Sequence, residues 1–318
     1  MYVIRYCKHA IVFVLIISGF LSCTQVKRYE IIHPSMGVEF RVIFYDEQGI
    51  NASDVNEKVT HLIDELNMIF SDYDEKSEIR KLCANYKINV QQIVSEELLE
   101  VLEASQEISR YSCGAFDVTV GPLSKLWRKA IRRNQVPDPD DIEAAKSKVS
   151  YLNLKLDANN NVVVFKKKGV QLDFGGIAKG YAIDRIADVF LNQGINSFLV
   201  EAGGDIRVGN PPPGERGWKI KIVNGDLRFL KNVSVVSSGD MYRYVELNGK
   251  KYAHIVDPRT GIGITNQTTI TVIGQSAMRA DAWATALSIM NEQEREQCIP
   301  NEELEGLEII ETPSSTSN

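Results

Sequence analysis

Residues 171–210 constrain the fold most, because they combine two strand-like runs, two glycine pairs and one helix-like segment. The first run ends at Asp173, and Gly175, Gly176 and Lys179 follow it. Glycines let a backbone approach a ligand closely, amides near a helix start attract anions, and a lysine adds a charge suited to phosphate. The stretch therefore predicts a loop that holds a phosphate-bearing ligand, although the same turn also serves packing alone.

The other segments predict more strands than helices. Residues 38–44 alternate as a half-buried strand does, and YRYVELNGKKYAHIVD has the pattern of a hairpin with its turn at Asn248-Gly249. GAFDVTVGPLSKLWR predicts a strand broken at Gly121-Pro122. Serines precede amphipathic segments and predict helix starts at Ser53, Ser95 and Ser276. These patterns predict the α+β class, with a mainly antiparallel sheet packed with helices.

The N-terminal segment has the features of a bacterial lipoprotein signal. Arg5 and Lys8 precede a twelve-residue apolar run, which meets a serine and Cys23. That run has the length of a signal-peptide core and is too short to span a bilayer. We therefore expect a signal peptide over residues 1–22, lipidation of Cys23 and a linker over residues 23–29. The alternative is a plain secretory signal or a single-helix anchor.

Charge and cysteine usage exclude several classes of partner. The 318-residue chain has a net charge of −6, and loss of the signal peptide leaves 34 basic against 42 acidic residues, a net charge of −8. Such a balance argues against a nucleic-acid partner. No basic amphipathic stretch is apparent, so the lipid is expected to be the only membrane anchor.

The cysteines after the expected lipidation site are three in number. Cys83, Cys113 and Cys298 predict buried thiols, with one disulfide as the alternative.

Two residues on one predicted helix suit a metal ion. Asp281 and Thr285 lie four residues apart, so their side chains leave the same face. A carboxylate with a hydroxyl suits a hard cation such as Mg²⁺. The alternative is an exposed aspartate beside a threonine that bonds to its own helix.

Four further residues each have a functional and a structural interpretation. His254 follows a predicted strand at a turn, where it suits a general base or a structural histidine. Asp117 suits a ligand contact or a turn. Tyr73 and Met36 suit contacts to a flat ring or ordinary packing. The sequence has neither GxSxG nor GxGxxG, so neither a serine hydrolase nor a nicotinamide fold is supported.

Seven motifs occur in a fixed order along the chain: MG at 36–37, SDYDEKSEI, GAFDVTVGPL, DFGGIAKGYAID, EAGGDI, HIVDPRTG and ADAWATAL. Together they resemble the family of ApbE-type FAD:protein FMN transferases. Asp72 departs from the usual threonine of that family, and Gly176 stands where another residue is common. The resemblance implies an ApbE-like (T-fold-like) architecture, with the flavin transferase domain over residues 30–310 and a flexible tail over residues 311–318.

The resemblance also implies roles for individual residues. Positions matching family contacts to FAD are Met36, Tyr73, Ala115, Phe116, Asp117, Asp173, Lys179, His254 and Ile255. The implied Mg²⁺ ligands are the carbonyl of Gly176 and the side chains of Asp281 and Thr285. His254 is the candidate general base, with an aspartate as the alternative, and Asp281 joins it in the implied catalytic set.

The implied reaction transfers FMN from FAD to a threonine or serine hydroxyl of an acceptor flavoprotein and releases AMP, with Mg²⁺ required. The acceptor is expected to belong to a membrane-bound redox complex on the periplasmic side. Two alternatives remain at this point. One is Mg²⁺-dependent hydrolysis of FAD to FMN and AMP. The other is a lipoprotein that binds FAD without catalysis.

Overall fold

The computed structural model describes residues 26–46, 48–239, 244–247, 250–265 and 268–313. The helices within these residues are α1 (Ala52–Phe70), α2 (Glu78–Asn85), α3 (Glu96–Tyr111), α4 (Gly121–Arg133), α5 (Pro139–Lys146), α6 (Ala178–Asn192), α7 (Ala277–Ile289) and α8 (Glu292–Cys298). None of these described helices is long and apolar enough to cross a membrane. The expected signal peptide, the expected lipidation site at Cys23 and the expected turn at Asn248-Gly249 lie outside the described residues.

Strands outnumber α-helices in the described chain, fourteen to eight. They are β1 (Lys27–Ser35), β2 (Val38–Asp46), β3 (Gln91–Ile93), β4 (Leu154–Asp157), β5 (Val162–Phe165), β6 (Phe198–Ala202), β7 (Asp205–Val208), β8 (Trp218–Lys221), β9 (Leu227–Leu230), β10 (Val233–Ser238), β11 (Tyr244–Leu247), β12 (Lys250–Ala253), β13 (Thr268–Gly274) and β14 (Glu308–Pro313). The expected linker therefore ends in a strand that begins at Lys27, and the expected tail begins inside β14.

A seven-stranded sheet organises the molecule. Its order is β1-β2-β6-β7-β10-β13-β14, and every neighbouring pair is antiparallel. Three smaller sheets join β3-β5-β4, β8-β9 and β11-β12. The predicted α+β class with a mainly antiparallel sheet is confirmed.

Helices cover one face of the large sheet and a hairpin covers the other. Helix α1 buries Val55, Val59, Ile63, Leu66 and Phe70, a helical spacing that places one apolar stripe in the main core. On the opposite face, Trp218, Ile220 and Ile222 of the β8–β9 hairpin pack on a smaller apolar cluster of the sheet. The sheet therefore lies in the middle of three layers.

Local signals placed most helix starts correctly, with one error. Ser95 and Ser276 cap α3 and α7 as predicted, because their side chains accept from the backbone amides of Leu98 and Arg279. The prediction for Ser53 was wrong. Asn51 is the cap of α1, and its side chain accepts a hydrogen bond from the Ser53 amide.

The strand predicted across GAFDVTVGPLSKLWR was wrong. Only Val120 makes an isolated bridge, to Gln171, and α4 begins at Gly121. Pro122 occupies the first turn of that helix, where its missing amide costs no hydrogen bond. The Gly-Pro pair therefore starts a helix instead of interrupting a strand. The short elements α2, α8, β7 and β9 were not predicted.

Two of the three cysteines in the described residues form a disulfide, which corrects the expectation of buried thiols. Cys113 is bonded to Cys298, with their Cα atoms 5.8 Å apart and a sequence separation of 185. The bond ties the loop after α3 to the end of α8. Cys83 is the free cysteine of the described chain, and its sulfur accepts a hydrogen bond from the Leu172 amide at 3.3 Å.

Candidate functional site

Lys179 lies between two buried carboxylates. Its Nζ is 3.0 Å from Oδ2 of Asp205, the first residue of β7, and 3.3 Å from Oδ2 of Asp281 on α7. The amide of Gly180 also donates to Oδ2 of Asp281, at 3.2 Å. The Lys179 side chain is 23% exposed, so it is not an ordinary solvated lysine. We call Lys179, Asp205 and Asp281 the lysine cluster.

Close packing of α6 against α7 brings this cluster together. A methyl group at Gly180 would overlap the carbonyl of Ala277, so only glycine permits this approach. Asp184, one turn further along α6, accepts hydrogen bonds from the amides of Ala277 and Met278 at the start of α7. The third glycine of the DFGGIAKG motif therefore serves helix packing. Through that packing it positions Asp281.

Burial sets the charge balance of the lysine cluster. Burial raises the pKa of Asp281 to about 6, and the charge of Asp205 acts in the same direction against the opposing effect of Lys179. For Lys179, burial lowers the pKa while the two carboxylates raise it, and the carboxylates prevail. With both carboxylates ionised, the cluster carries two negative charges and one positive charge. A phosphate ligand would be repelled by that balance unless another cation accompanied it.

The residues that carry the three predicted metal ligands adjoin one another, since Asp281 lies one turn before Thr285 on α7 and Gly176 lies against Thr285. A methyl group at Gly176 would be 2.8 Å from Oγ1 of Thr285, so the backbone at Gly176 lies against that hydroxyl. Lys179 and Gly180 both contact Oδ2 of Asp281, and no described residue donates to Oδ1. Within the described chain the Thr285 hydroxyl makes no hydrogen bond, which differs from the helix-bonded alternative.

The atoms that Asp281, Thr285 and Gly176 offer as metal ligands are all oxygen atoms, which Mg²⁺ prefers. A carboxylate oxygen, a hydroxyl and a nearby backbone carbonyl can complete part of its shell, and water or phosphate oxygens commonly supply the rest. The described residues contain no group of three or more His, Cys, Asp or Glu side chains suited to a metal. The residues fit a hard cation, and the assignment of Gly176, Asp281 and Thr285 stays a prediction.

Arg128 joins two of the predicted ligand-binding segments. Its guanidinium forms ion pairs with Asp72 and with Asp173, the latter at 2.6 Å from Nη2 to Oδ2. The same group lies 5.0 Å from the ring centroid of Tyr73, which is 70% exposed. The other oxygen of Asp173 accepts from the Gly175 amide at 2.9 Å. The loop of Tyr73 and the loop that contains Gly175 and Gly176, which we call the glycine loop, are therefore held side by side.

The Asp117 side chain stabilises its own loop through hydrogen bonds. Its Oδ1 accepts from the amide and hydroxyl of Thr119, each at 2.7 Å, and its Oδ2 accepts from the Tyr151 amide at 2.7 Å. Burial raises its pKa to about 6 despite these bonds. The neighbouring side chains of Ala115 and Phe116 are buried. The structure therefore favours the turn interpretation of Asp117, and these three predicted FAD contacts remain untested.

Met36 lies in the tight turn between β1 and β2. It has φ 51° and Gly37 has φ 77°, values that favour glycine in two-residue hairpin turns. A methyl group at Gly203 would lie 2.8 Å from Cγ1 of Val38, so the β6–β7 turn touches the same hairpin. Asp205 follows that second turn directly. The MG and EAGGDI motifs therefore meet at one end of the sheet, near the lysine cluster.

His254 and Ile255 follow β12 in a loop that packs on α4. Trp127 of α4 donates from Nε1 to the carbonyl of Gly261 in this loop, at 2.8 Å. His254 is exposed. Because Arg128 is the next residue of α4, this loop is connected to the Tyr73 and Asp173 segments through one helix.

Sequence reasoning assigned no role to Arg128 or Asp205. Asp205 has a usable signal in the sequence, since it follows a glycine pair directly. Arg128 has none, because the pattern of its segment predicts a broken strand. Its partners lie 56 and 45 residues away in sequence.

The chain was compared with protein families and with individual proteins. The model described as the ApbE family matches residues 36–310. A FAD:protein FMN transferase of Vibrio cholerae is 30% identical over 272 residues, covering 82% of this chain and 80% of that protein. One of Haemophilus influenzae is 29% identical over 274 residues, covering 81% and 79%.

Solved structures agree with these sequence matches. The flavin transferase ApbE from Vibrio cholerae superposes with a TM-score of 0.78 at 26% identity, covering 91% of this chain and 98% of that one. The ApbE protein from Thermotoga maritima superposes with a TM-score of 0.78 at 31% identity, with the same coverage. The family match, the seven ordered motifs and the structural similarity all cover nearly the same part of the chain. The chain belongs to the ApbE family.

Proposed function

We propose that this chain is a Mg²⁺-dependent FAD:protein FMN transferase. A threonine or serine hydroxyl oxygen of an acceptor protein attacks the FAD phosphorus nearest the riboflavin. The bond from that phosphorus to the bridging oxygen breaks, AMP leaves with the electron pair, and FMN is joined to the acceptor by a phosphoester. The names of the curated relatives support the transferase class.

The charge balance of the lysine cluster carries this proposal. Two buried carboxylates face a single ammonium, so the pyrophosphate of FAD needs a further cation to enter. Oδ1 of Asp281 and the hydroxyl of Thr285, which make no hydrogen bond to any described residue, would hold Mg²⁺ with the carbonyl of Gly176. Bound Mg²⁺ supplies charge neutralisation at the phosphates and stabilises the departing AMP.

The remaining residues bind and orient FAD in this proposal. Tyr73 offers an exposed ring for stacking on the flavin, and Arg128 fixes the loop that carries it. Asp173 keeps the glycine loop in place through its bond to the Gly175 amide. Lys179 offsets one of the two negative charges of Asp205 and Asp281, and thereby limits the repulsion that the phosphates meet. Such positioning supplies much of the rate in phosphoryl transfer.

His254 is the proposed general base. It takes the proton from the acceptor hydroxyl oxygen as that oxygen attacks phosphorus. Its exposure lets an acceptor segment reach it from solvent. His254 and Ile255 also lie in the loop that α4 connects to the Tyr73 and Asp173 segments.

We further propose that the chain is exported and anchored through a lipid on Cys23, on the periplasmic side of a bacterial membrane. The motif at the end of the apolar run supports this location. The acceptor is then a flavoprotein subunit of a membrane-bound redox complex, since the two share one compartment.

The test combines the purified chain with FAD, Mg²⁺ and an acceptor domain. Mass spectrometry is expected to show the acceptor gaining FMN, with equal release of AMP. AMP without any mass gain on the acceptor would identify a FAD hydrolase instead, and retained FAD without AMP would identify a binding protein. Asp281→Ala is expected to abolish transfer and Mg²⁺ binding, while Asp64→Ala, an exposed carboxylate of α1, serves as the matched control. Full activity of Asp281→Ala would refute the metal assignment.

A further inference from the structure

The β8–β9 hairpin presents an exposed face that is both cationic and apolar. Trp218 and Ile220 point to the sheet, while Lys219 and Lys221 alternate to the outside. Cross-strand pairing sets Lys219 opposite Phe229 and Lys221 opposite Leu227. Phe229 is 38% exposed and Leu227 is 51% exposed. We call these four paired side chains the outer face of the hairpin.

Further cations and an apolar tip extend this outer face. The guanidinium of Arg216 lies 3.7 Å from the ring centroid of Phe229, and Lys231 is exposed just after β9. Val223, at the tip, is 42% exposed. The exposed acids Glu215 and Asp226 lie in the flanking turns, outside the paired strands. The local excess of positive charge contrasts with the net charge of −6 of the chain.

The lysines of the outer face have no ion-pair partner in the part of the chain that the structure describes. Among the described residues neither Lys219 nor Lys221 forms an ion pair. Arg228, on the inner side of the same hairpin, pairs with Glu308 at 2.6 Å. The hairpin therefore places its unpaired cations outside and neutralises the inner one. An external partner of negative charge would complete the outer face.

The start of the described chain lies near the β8–β9 hairpin. Arg28 is opposite Tyr45 in the β1–β2 strand pair, and the ring centroid of Tyr45 lies 6.0 Å from that of Trp218 in the hairpin. Four residue steps separate Cys23 from Lys27, a reach of about 14 Å at most. The lysine cluster lies on the opposite, helical face of the sheet. A lipid on Cys23 would therefore bring the hairpin to a membrane and leave the candidate site on the other side.

We propose that the outer face of the β8–β9 hairpin rests on an anionic lipid surface. Lysine and arginine side chains near such a surface are attracted to its headgroups, and exposed Phe and Leu side chains insert at the acyl boundary. The inference rests on the proposed anchor at Cys23 for its location and on the hairpin alone for its chemistry. It replaces the expectation that the lipid is the only membrane contact, because strand pairing assembles a basic and apolar face from separated residues.

The experiment measures which surface of the anchored chain meets the bilayer. The mature chain is reconstituted into vesicles of phosphatidylcholine, or of phosphatidylcholine mixed equally with phosphatidylglycerol. Val223→Cys carries a polarity-sensitive thiol probe. Ile93→Cys, 84% exposed on β3 of a separate sheet, carries the same probe as a control. The parent chain with Cys83 gives the labelling background.

We expect a blue shift and quenching by nitroxide lipids for the probe at Val223→Cys in the anionic vesicles, and neither change at Ile93→Cys. Lys219→Gln with Lys221→Gln is expected to move the ratio of docked to undocked chain about thirtyfold toward undocked. Lys155→Gln with Lys166→Gln, two exposed lysines elsewhere, is expected to leave the signal unchanged. Emission at Val223→Cys that matches free solution in both vesicles would overturn the proposal, as would a shift that follows an added acidic protein instead of the lipid.

Discussion

Replacement of Lys179 by methionine tests the charge balance of the lysine cluster. Methionine keeps much of the side-chain volume and removes the ammonium that lies 3.0 Å from Asp205 and 3.3 Å from Asp281. Removing one partner of a buried ion pair costs about 3–5 kcal/mol, because the other charge stays buried and unpaired. Since Lys179 is 23% exposed, we expect the lower end, about 3 kcal/mol at pH 8. For a chain of this size that corresponds to a Tm lower by about 6 °C.

The destabilisation should depend on pH in a defined direction. Burial raises the pKa of Asp281 in the folded protein to about 6, above the ordinary value of 3.8, so the folded state binds the proton more tightly than the unfolded state does. The contribution of Asp281 therefore favours folding at low pH and is lost as pH rises through 6. Without Lys179 the carboxylate pKa rises further, so this loss extends to higher pH. The cost of Lys179→Met at pH 5 should be less than half of its cost at pH 8.

Urea unfolding at pH 5 and pH 8, in the presence of a chelator, measures both quantities. Lys179→Arg keeps the positive charge and is the matched control, with a cost of less than half that of the methionine variant at pH 8. A free-energy loss for Lys179→Met that is equal at the two pH values would refute the reasoning, because packing loss alone has no such pH dependence.

Three further changes test other parts of the structure. Arg128→Met should free the loop of Tyr73 and raise the KM for FAD about tenfold with a smaller change in kcat; steady-state kinetics measures the split, and rescue by Arg128→Lys would identify a purely electrostatic role. Cys298→Ser should lower the free energy of unfolding by up to about 5 kcal/mol, measured by urea titration, because Cys113 and Cys298 close a loop of 185 residues in the unfolded chain. Asp117→Ala should lower the free energy of unfolding by about 2–4 kcal/mol at pH 5, measured by thermal unfolding, since two buried donors and one part-buried donor lose their acceptor. The loss should be smaller at pH 8, because ionisation of the buried carboxylate already destabilises the parent chain there.

Sequence patterns predicted the elements whose cause is local. The apolar spacing of α1 and the serine caps of α3 and α7 follow from a few neighbouring residues, and the structure has them in place. The segment around Gly121-Pro122 was misjudged because the same run of residues suits a broken strand or a proline-started helix. Its true state depends on packing of Trp127 in a cluster with α5 and the loop after β12.

Some residues of the candidate site can be recognised from short motifs, and others only from the fold. The glycine loop, Lys179 and the Asp281/Thr285 pair were visible as short motifs, and the structure brings them together. The role of Asp205 was missed, although its position after a glycine pair was a signal. Arg128 became visible only with its partners, because Asp72 and Asp173 are far from it in sequence. The structural role of Asp117 likewise became visible only in the fold, because its Oδ2 accepts a hydrogen bond from the Tyr151 amide, 34 residues away.

The α+β class, most helix starts and the motifs that identify the family can be predicted from the sequence, since periodicity and motif order are properties of neighbouring residues. Folding was needed to reveal four other features: the charge balance around Lys179, the bridge through Arg128, the Cys113–Cys298 bond and the cationic outer face of the β8–β9 hairpin. Each of these depends on distances between residues that are separated along the chain, and folding alone sets those distances. Burial then determines what the charges do, because the same carboxylate that is ordinary in water becomes costly beside a second one inside the protein.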